Sequence, residues 1–327
     1  MLTFEHMAVT KGRVVGRSLR KLVLVSACMV VGLVSIASSE LSAAQLKPQT
    51  VKAFDRYVAI VDARMKREED RPDDLLYIET LPMAQFQSAM ATLKQGHVYV
   101  QRIPVRDAQG NSIDIPGGMV HHWVGDVLIP GKTTSSVLQV LRDYDNFKNI
   151  YKPEVIRSRL VKREDKDDYN VYLRLQKKSI VTVTLDTWYH IHFTPLSANS
   201  GYSRSVSTRI QQVEDAGTPQ EHLDPVGQGS GYLWRIISYW RYQQRDNGVI
   251  IEWESIALSR NVPFLVAWFV KPLIRNIASE AVSDMLTATR KAVLAEKNPA
   301  KQALADPPPD LFAQRFWRPE LTLQSLK

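Results

Sequence analysis

Six long stretches with strand character, followed by one long helical stretch, limit this chain to few folds. The strand segments lie at about 154–163, 169–177, 179–194, 201–213, 229–244 and 249–259, rich in β-branched and aromatic residues at two-residue alternation. Short polar links join several of them: Asp165-Lys166-Asp167-Asp168, Ser197-Ala198-Asn199-Ser200-Gly201 and Asp246-Asn247-Gly248. Links this short make the neighbouring strands antiparallel. The Asn247-Gly248 pair predicts a tight hairpin, because these residues accept the positive φ such turns need. The period then changes. Pro263 opens a short apolar helix, and Pro272 starts a longer one running to about Glu296. Leu273, Ile277, Ala281, Met285, Thr289 and Val293 are expected to form its inner stripe.

Upstream, Val51, Phe54, Tyr57, Val58, Val61 and Met65 recur at helical spacing over residues 50–66, and a second helix is expected around 84–93. Strands follow at 97–103 and 119–129, the latter closed by Pro130-Gly131, and a short helix spans 134–141 behind Thr133 or Thr134 as cap. Helices segregated to one side of antiparallel strands make an α+β chain. Residues 45–96 read as an N-terminal helical extension, 97–297 as the main domain, and 298–327, with Pro307-Pro308-Pro309, as a Pro-rich tail.

Residues 1–44 read as a signal peptide. Lys11, Arg13, Arg17, Arg20 and Lys21 precede an uncharged apolar run from Leu22 to Ala37, and small residues follow up to Ala44. The apolar run is shorter than the roughly 20 residues a membrane-spanning helix needs, so export to the periplasm or beyond is expected, with an uncleaved anchor as the alternative. Cys28, the only cysteine, lies in this run; Val25-Ser26-Ala27-Cys28 resembles a lipobox, but the apolar run continues past it. Cleavage after Ala44 leaves a chain with no thiol, which excludes thiolate metal sites and thiol nucleophiles. Net charge is +8 for the whole sequence, and the leader holds five of the bases and two of the acids. The remaining bases are dispersed, with no Gly-rich phosphate loop, so a nucleic-acid partner is not expected.

The order of elements over 119–296 resembles that of the START-like superfamily, which includes polyketide cyclases and coenzyme Q-binding proteins. The residues that carry the likeness are Ile129-Pro130-Gly131, the segment Val137–Phe147, Tyr239-Trp240-Arg241, Asp246-Asn247-Gly248, Glu252-x-Glu254, and Leu258-Ser259-Arg260 with Pro263. The resemblance implies a helix-grip fold, with a curved antiparallel sheet wrapped around the long C-terminal helix. It also implies an apolar ligand (lipid, isoprenoid or polyketide-like) held between them. None of these motifs is catalytic, and residues 45–96 have no counterpart in the minimal fold.

Strand parity supplies candidate site residues. Tyr232, Trp234, Trp240 and Tyr242 share one face of segment 229–244, and Trp253 joins it across the hairpin. With Ile277, Ala281 and Met285 from the helix they are the expected ligand-binding set. Core filling is the simpler use of such rings. Arg235 and Arg241 share the opposite face with Glu252 and Glu254, and a cross-strand ion pair is expected there on a largely solvated surface. The alternative puts these four inside as headgroup ligands or, in an enzyme, as catalytic groups. His190 and His192, with His121 or His122, offer imidazoles for a metal, but no carboxylate is fixed beside them by sequence, and no metal or cofactor is expected. Asp143 reads as a helix-end residue. Phe264, Trp268 and Phe269 belong to an apolar segment with basic flanks that either packs on the body or touches a membrane. A third reading makes 45–96 and the tail a protein-interaction module.

Overall fold

The computed structural model describes residues 45–71, 75–178, 182–262 and 267–296, with side chains in the last stretch described from residue 276. In chain order the elements are α1 (Pro48–Glu69), α2 (Met83–Lys94), β1 (Tyr99–Arg102), β2 (Gly118–Pro130), α3 (Thr134–Leu141) and α4 (Phe147–Ile150). Then come β3 (Val155–Arg163), β4 (Asp168–Lys178), β5 (Thr182–Pro195), β6 (Ser200–Glu214), β7 (His222–Leu223), β8 (Arg235–Arg245), β9 (Gly248–Arg260) and α5 (Ala267–Ala295). The strands form one curved antiparallel sheet in the order β1-β2-β9-β8-β6-β5-β4-β3, with the short β7 against β6. This strand order under one long C-terminal helix is the helix-grip fold.

Each face of the sheet is covered by a different helix. On the inner face, α5 lies over β1, β2 and β9. Its Val282, Leu286 and Val293 join Val127, Ile251, Tyr242 and Trp253 in the main core. On the outer face, Phe54, Tyr57, Val58, Val61 and Met65 of α1 pack on Ile237 and Tyr239 of β8 and on Ile256 and Leu258 of β9. Burial of each large apolar side chain contributes about 1.5–3 kcal/mol. The outer face is therefore a second core, not the largely solvated surface expected from the minimal fold. The extension creates it.

Three local expectations need correction. The segments expected to start at Pro263 and Pro272 as two helices differ: α5 runs unbroken from Ala267, so Pro272 lies inside it. The predicted stripe is also rotated. Val282, Leu286, Thr289 and Val293 are the buried positions, whereas Ile277, Ala281 and Met285 are half-buried. A row at strict four-residue spacing drifts about 40° per step around a 3.6-residue helix, and the observed 4-3-4 spacing does not. Finally, Arg245 pairs with Gly248, so the hairpin loop is Asp246-Asn247 and Gly248 opens β9. Gly248 has φ 145°, and a Cβ there would come within 2.1 Å of the Ile129 carbonyl oxygen. Glycine is required at this position because β2 passes against it, while Asn247 needs no positive φ.

Gly125 sets how closely α5 approaches. A Cβ on it would lie 2.7 Å from Val282 Cγ1, 2.8 Å from Leu286 Cδ1 and 3.1 Å from the Tyr99 carbonyl oxygen. Gly125→Ala is expected to force α5 outward and cost about 1–3 kcal/mol, read as a lower urea midpoint. An unchanged midpoint would mean that the helix seat is not tightly packed.

Candidate ligand site and a buried ion network

The register places the inner-face residues in rows across four or five strands. One row runs Trp123 (β2), Ser255 (β9), Ser238 (β8), Ser205 (β6) and Ile191 (β5). The next runs Gly125, Trp253, Trp240, Ser203 and Phe193, and a third runs Val127, Ile251, Tyr242 and Gly201. Trp240 and Trp253 stack, with ring centroids 5.8 Å apart and planes 26° from parallel. Trp123, Ile236, Trp240 and Met285 are packed against the core yet only partly buried. The inner face thus carries apolar rings with free surface beside α5.

Of the sequence-predicted ligand set, Trp240, Tyr242 and Trp253 share this face, and Ile277, Ala281 and Met285 are on α5. Two aromatics do not belong. Strand β8 begins only at Arg235, so the parity argument fails before it. Trp234 is buried in the outer cluster with Phe54 and Ile237, and Tyr232 is exposed.

All four polar candidates lie on the outer face. Arg235 pairs with Asp55 of α1 at 2.8 Å near the surface. The others are buried: Arg241 is 2% exposed, and Glu252 and Glu254 are 0%. The expected cross-strand pairing is present, with Arg241 opposite Glu252 in register and in contact with it. Arg241 also donates to Glu254 Oε2 at 3.1 Å, to Glu68 Oε2 of α1 at 2.5 Å and to the Leu75 carbonyl at 3.0 Å. Arg64 of α1 bonds both Glu254 and Glu68, and the Tyr77 backbone N–H donates to Glu252 Oε2 at 2.6 Å. His122 bridges Glu254 Oε1 at 2.6 Å and the Tyr57 hydroxyl at 3.0 Å. These groups are committed to holding the extension on the sheet, and the inner-face rings lie on the other side of the sheet.

The charge states follow from this packing. Burial pushes Glu254 up, but His122, Arg64 and Arg241 outweigh it and bring its pKa down to about 2. Burial also opposes the charge on Arg241, and Glu252, Glu254 and Glu68 more than restore it. Asp126, the register partner of Glu252, behaves oppositely: burial and then the charge of Glu252 push its pKa well above the usual carboxylate range. Asp126 therefore holds its proton more tightly than a free carboxyl does, beside a site with more carboxylates than arginines.

The histidines do not converge. His190 and His192 are about half-exposed on the outer face beside Asp168, at 3.3 and 2.9 Å. His121 is on the inner face, with Nε2 2.8 Å from Ser259 Oγ, and burial lowers its pKa to about 4, so it is neutral. His122 is in the ion network. Among the described residues no group of His, Cys, Asp and Glu is arranged to hold a metal ion. Asp143 is exposed just after α3.

A recess of about 380 Å³ opens at the far sheet edge, lined by Lys148, Lys152, Glu154, Ile156, Lys177 and Lys178 among others. A small void of about 10 Å³ touches Arg241. Neither is lined by α5. The recess adjoins β3, an edge strand carrying exposed Arg157, Arg159, Lys162 and Arg163, and such charge keeps an unpaired edge from joining another sheet. Phe264 lies outside the described residues, as do the side chains of Trp268 and Phe269, residues 1–44 and residues 297–327. Among the described residues no helix is long and apolar enough to cross a membrane.

No family model matches the sequence, and no curated protein matches it. Solved structures with similarity include human STARD10, at 14% identity over 69% of this chain and 84% of that chain, TM-score 0.39. TTHA0849 from Thermus thermophilus matches at 15% identity over 55% of this chain and 99% of that chain, TM-score 0.37. A STAR-related lipid transfer protein fragment from Xanthomonas axonopodis matches at 20% identity over 58% and 95%, TM-score 0.34. These likenesses are distant; the strand order and the seat of α5 carry the fold assignment.

Two outcomes are expected of the ion network. Arg241→Met strands buried Glu252, Glu254 and Glu68, and should cost about 3–5 kcal/mol in urea unfolding. Arg235→Met, at a surface pair, should cost about 0–1 kcal/mol; equal costs would contradict the burial assigned to Arg241. The second outcome concerns pH. Because Glu254 ionises at about 2 when folded and at about 4.3 when unfolded, its contribution is complete above the unfolded value. It is lost as pH falls from there through about 2. Glu254→Gln should flatten this acid limb in melts taken across that window, and an acid limb as steep as the parent's would count against the assignment.

Proposed function

We propose that this protein binds an apolar small molecule (a lipid, isoprenoid or polyketide-like compound) against the inner face beside α5, and carries or senses it outside the cytoplasm. The stacked Trp240–Trp253 pair, with Trp240 incompletely covered, is the observation that carries this reading. Rigid rings with free surface next to a helix suit an apolar ligand, and packing further rings on them would recover about 25 cal/mol per Å² covered. The basic leader and apolar run of residues 1–44 support export. In this proposal the segment with Phe264, Trp268 and Phe269 is where the carrier meets a lipid surface.

The enzyme reading has lost its candidates, since Arg241, Glu252 and Glu254 are engaged on the outer face. The interaction-module reading is weakened in the same way, because the apolar face of α1 is spent on the sheet.

Native mass spectrometry of protein purified from its own host tests the proposal, with a co-purifying apolar compound expected and an intact mass lacking residues 1–44. Trp240→Ala should lower affinity for an apolar fluorescent probe such as pyrene by about tenfold or more. Absence of both a co-purifying compound and probe binding would remove the carrier reading.

A further inference from the structure

The inner face holds hydroxyl groups with nothing to bond. Ser255, Ser238 and Ser205 are direct register neighbours on β9, β8 and β6, and Ser203 lies in the next row beside Trp240. With adjacent strands about 4.8 Å apart, the three hydroxyls form a line about 10 Å long. Trp123 stands at one end of it and Ile191 at the other. Ser203, Ser205 and Ser255 are buried at 1%, 8% and 8% exposure. Among the described residues none of the four side chains donates or accepts a hydrogen bond, whereas nearby Ser207 and Ser259 each have a partner.

On strands β2, β9, β8 and β6 the same face lacks charge; Arg102 of β1, opposite Trp123 in register, is exposed at its edge. Its positions on β2, β9, β8 and β6 are His121, Trp123, Gly125 and Val127; Ile251, Trp253, Ser255 and Ala257; Ile236, Ser238, Trp240 and Tyr242; and Gly201, Ser203, Ser205 and Ser207. None is Asp, Glu, Lys or Arg, and His121 is held neutral. Arg142, which reaches over Phe193, is paired with Asp167 at 2.9 Å.

These observations rest on the apolar-site reading and narrow it. We infer that the ligand is a neutral, mainly apolar molecule bearing a hydroxyl or carbonyl group on one edge, which hydrogen-bonds to the line Ser205–Ser238–Ser255 while its body lies on Trp240 and Trp253. An ionised carboxylate or phosphate along the serine line has no counter-charge on β9, β8 or β6, with the exposed Arg102 beyond Trp123 at the sheet edge, and burying it unpaired is prohibitive. A hydrocarbon with no polar group leaves the serines unsatisfied, a cost of about 1–3 kcal/mol for each hydroxyl cut off from water. A neutral molecule with one polar edge meets both conditions.

Three matched probes separate the possibilities: pyrene, 1-hydroxypyrene and 1-pyrenebutyrate, titrated at neutral pH against the full chain with tryptophan-to-probe energy transfer as readout. The parent protein should bind 1-hydroxypyrene about tenfold tighter than pyrene, and pyrenebutyrate more weakly than either. The variant Ser205→Ala/Ser238→Ala/Ser255→Ala should lose the preference for 1-hydroxypyrene while still binding pyrene, which also shows that it is folded. If that variant unfolds, Ser238→Ala alone, at the half-buried centre of the line, should reduce the preference. Equal binding of pyrene and 1-hydroxypyrene by the parent, or a preference that survives the substitutions, would overturn the inference and leave the apolar site standing. Tight binding of pyrenebutyrate would overturn the neutrality argument. Failure of all three probes to bind would overturn the apolar site and this inference together.

Discussion

The ion cluster centred on Arg241 decides how this chain is put together. A guanidinium buried between β8, β9 and α1 meets three carboxylates, one of them from the helix. Desolvating those charges is expensive, and the attraction between them offsets the cost only while all partners are in place. The cluster therefore contributes less net stability than its number of contacts suggests. It contributes specificity of docking, since α1 can sit in one register on the sheet without leaving a buried charge alone. Asp126, whose pKa is pushed up by burial and by the charge of Glu252, tempers the excess of negative charge.

With the outer face closed by charge and apolar packing, the inner face is left for a different role. Its strands β2, β9, β8 and β6 carry rings and small hydroxyl-bearing residues in alternating rows and no charged side chain there. The two faces of β8 and β9 thus divide their chemistry by parity. Arg241 and Glu254 point one way, and Trp240, Trp253 and Ser255 point the other. Two-residue periodicity allows a single hairpin to serve a structural clamp and a candidate binding surface at once.

Much of this architecture was legible in the residues. The sequence of strands along the chain, the α1 and α2 helices and the split of the hairpin into an aromatic face and an arginine face all follow from periodicity, because alternation is local. The errors came where a decision depended on something outside the segment. Tyr232 and Trp234 were assigned by extending parity past the true start of β8. Of the row of i, i+4 positions read as the inner stripe of α5, Thr289 and Val293 are buried while Ile277, Ala281 and Met285 are half-buried, because such a row drifts around a long helix. The burial of Glu252 and Glu254 was hidden because a second helix covers them, and only Glu68 and Arg64, four residues apart on α1, hinted at a charged seam within an apolar stripe. The serine line was visible only in pairs; its continuity depends on which strands are neighbours, and β6 pairs with β8 across the intervening β7 loop.

The Arg241 cluster also has a consequence for descent. A mutation that shortens or loses the front helices would strand Arg241, Glu252 and Glu254 on a bare sheet, so deletion and replacement would have to occur together. A charged triplet at these two strands is therefore a record of the helix that covers it. In any related chain, the pattern Tyr-Trp-Arg followed by Glu-x-Glu should be inherited with an N-terminal helix carrying its own Arg and Glu four residues apart, and relatives built on the bare grip should have replaced all three with uncharged residues.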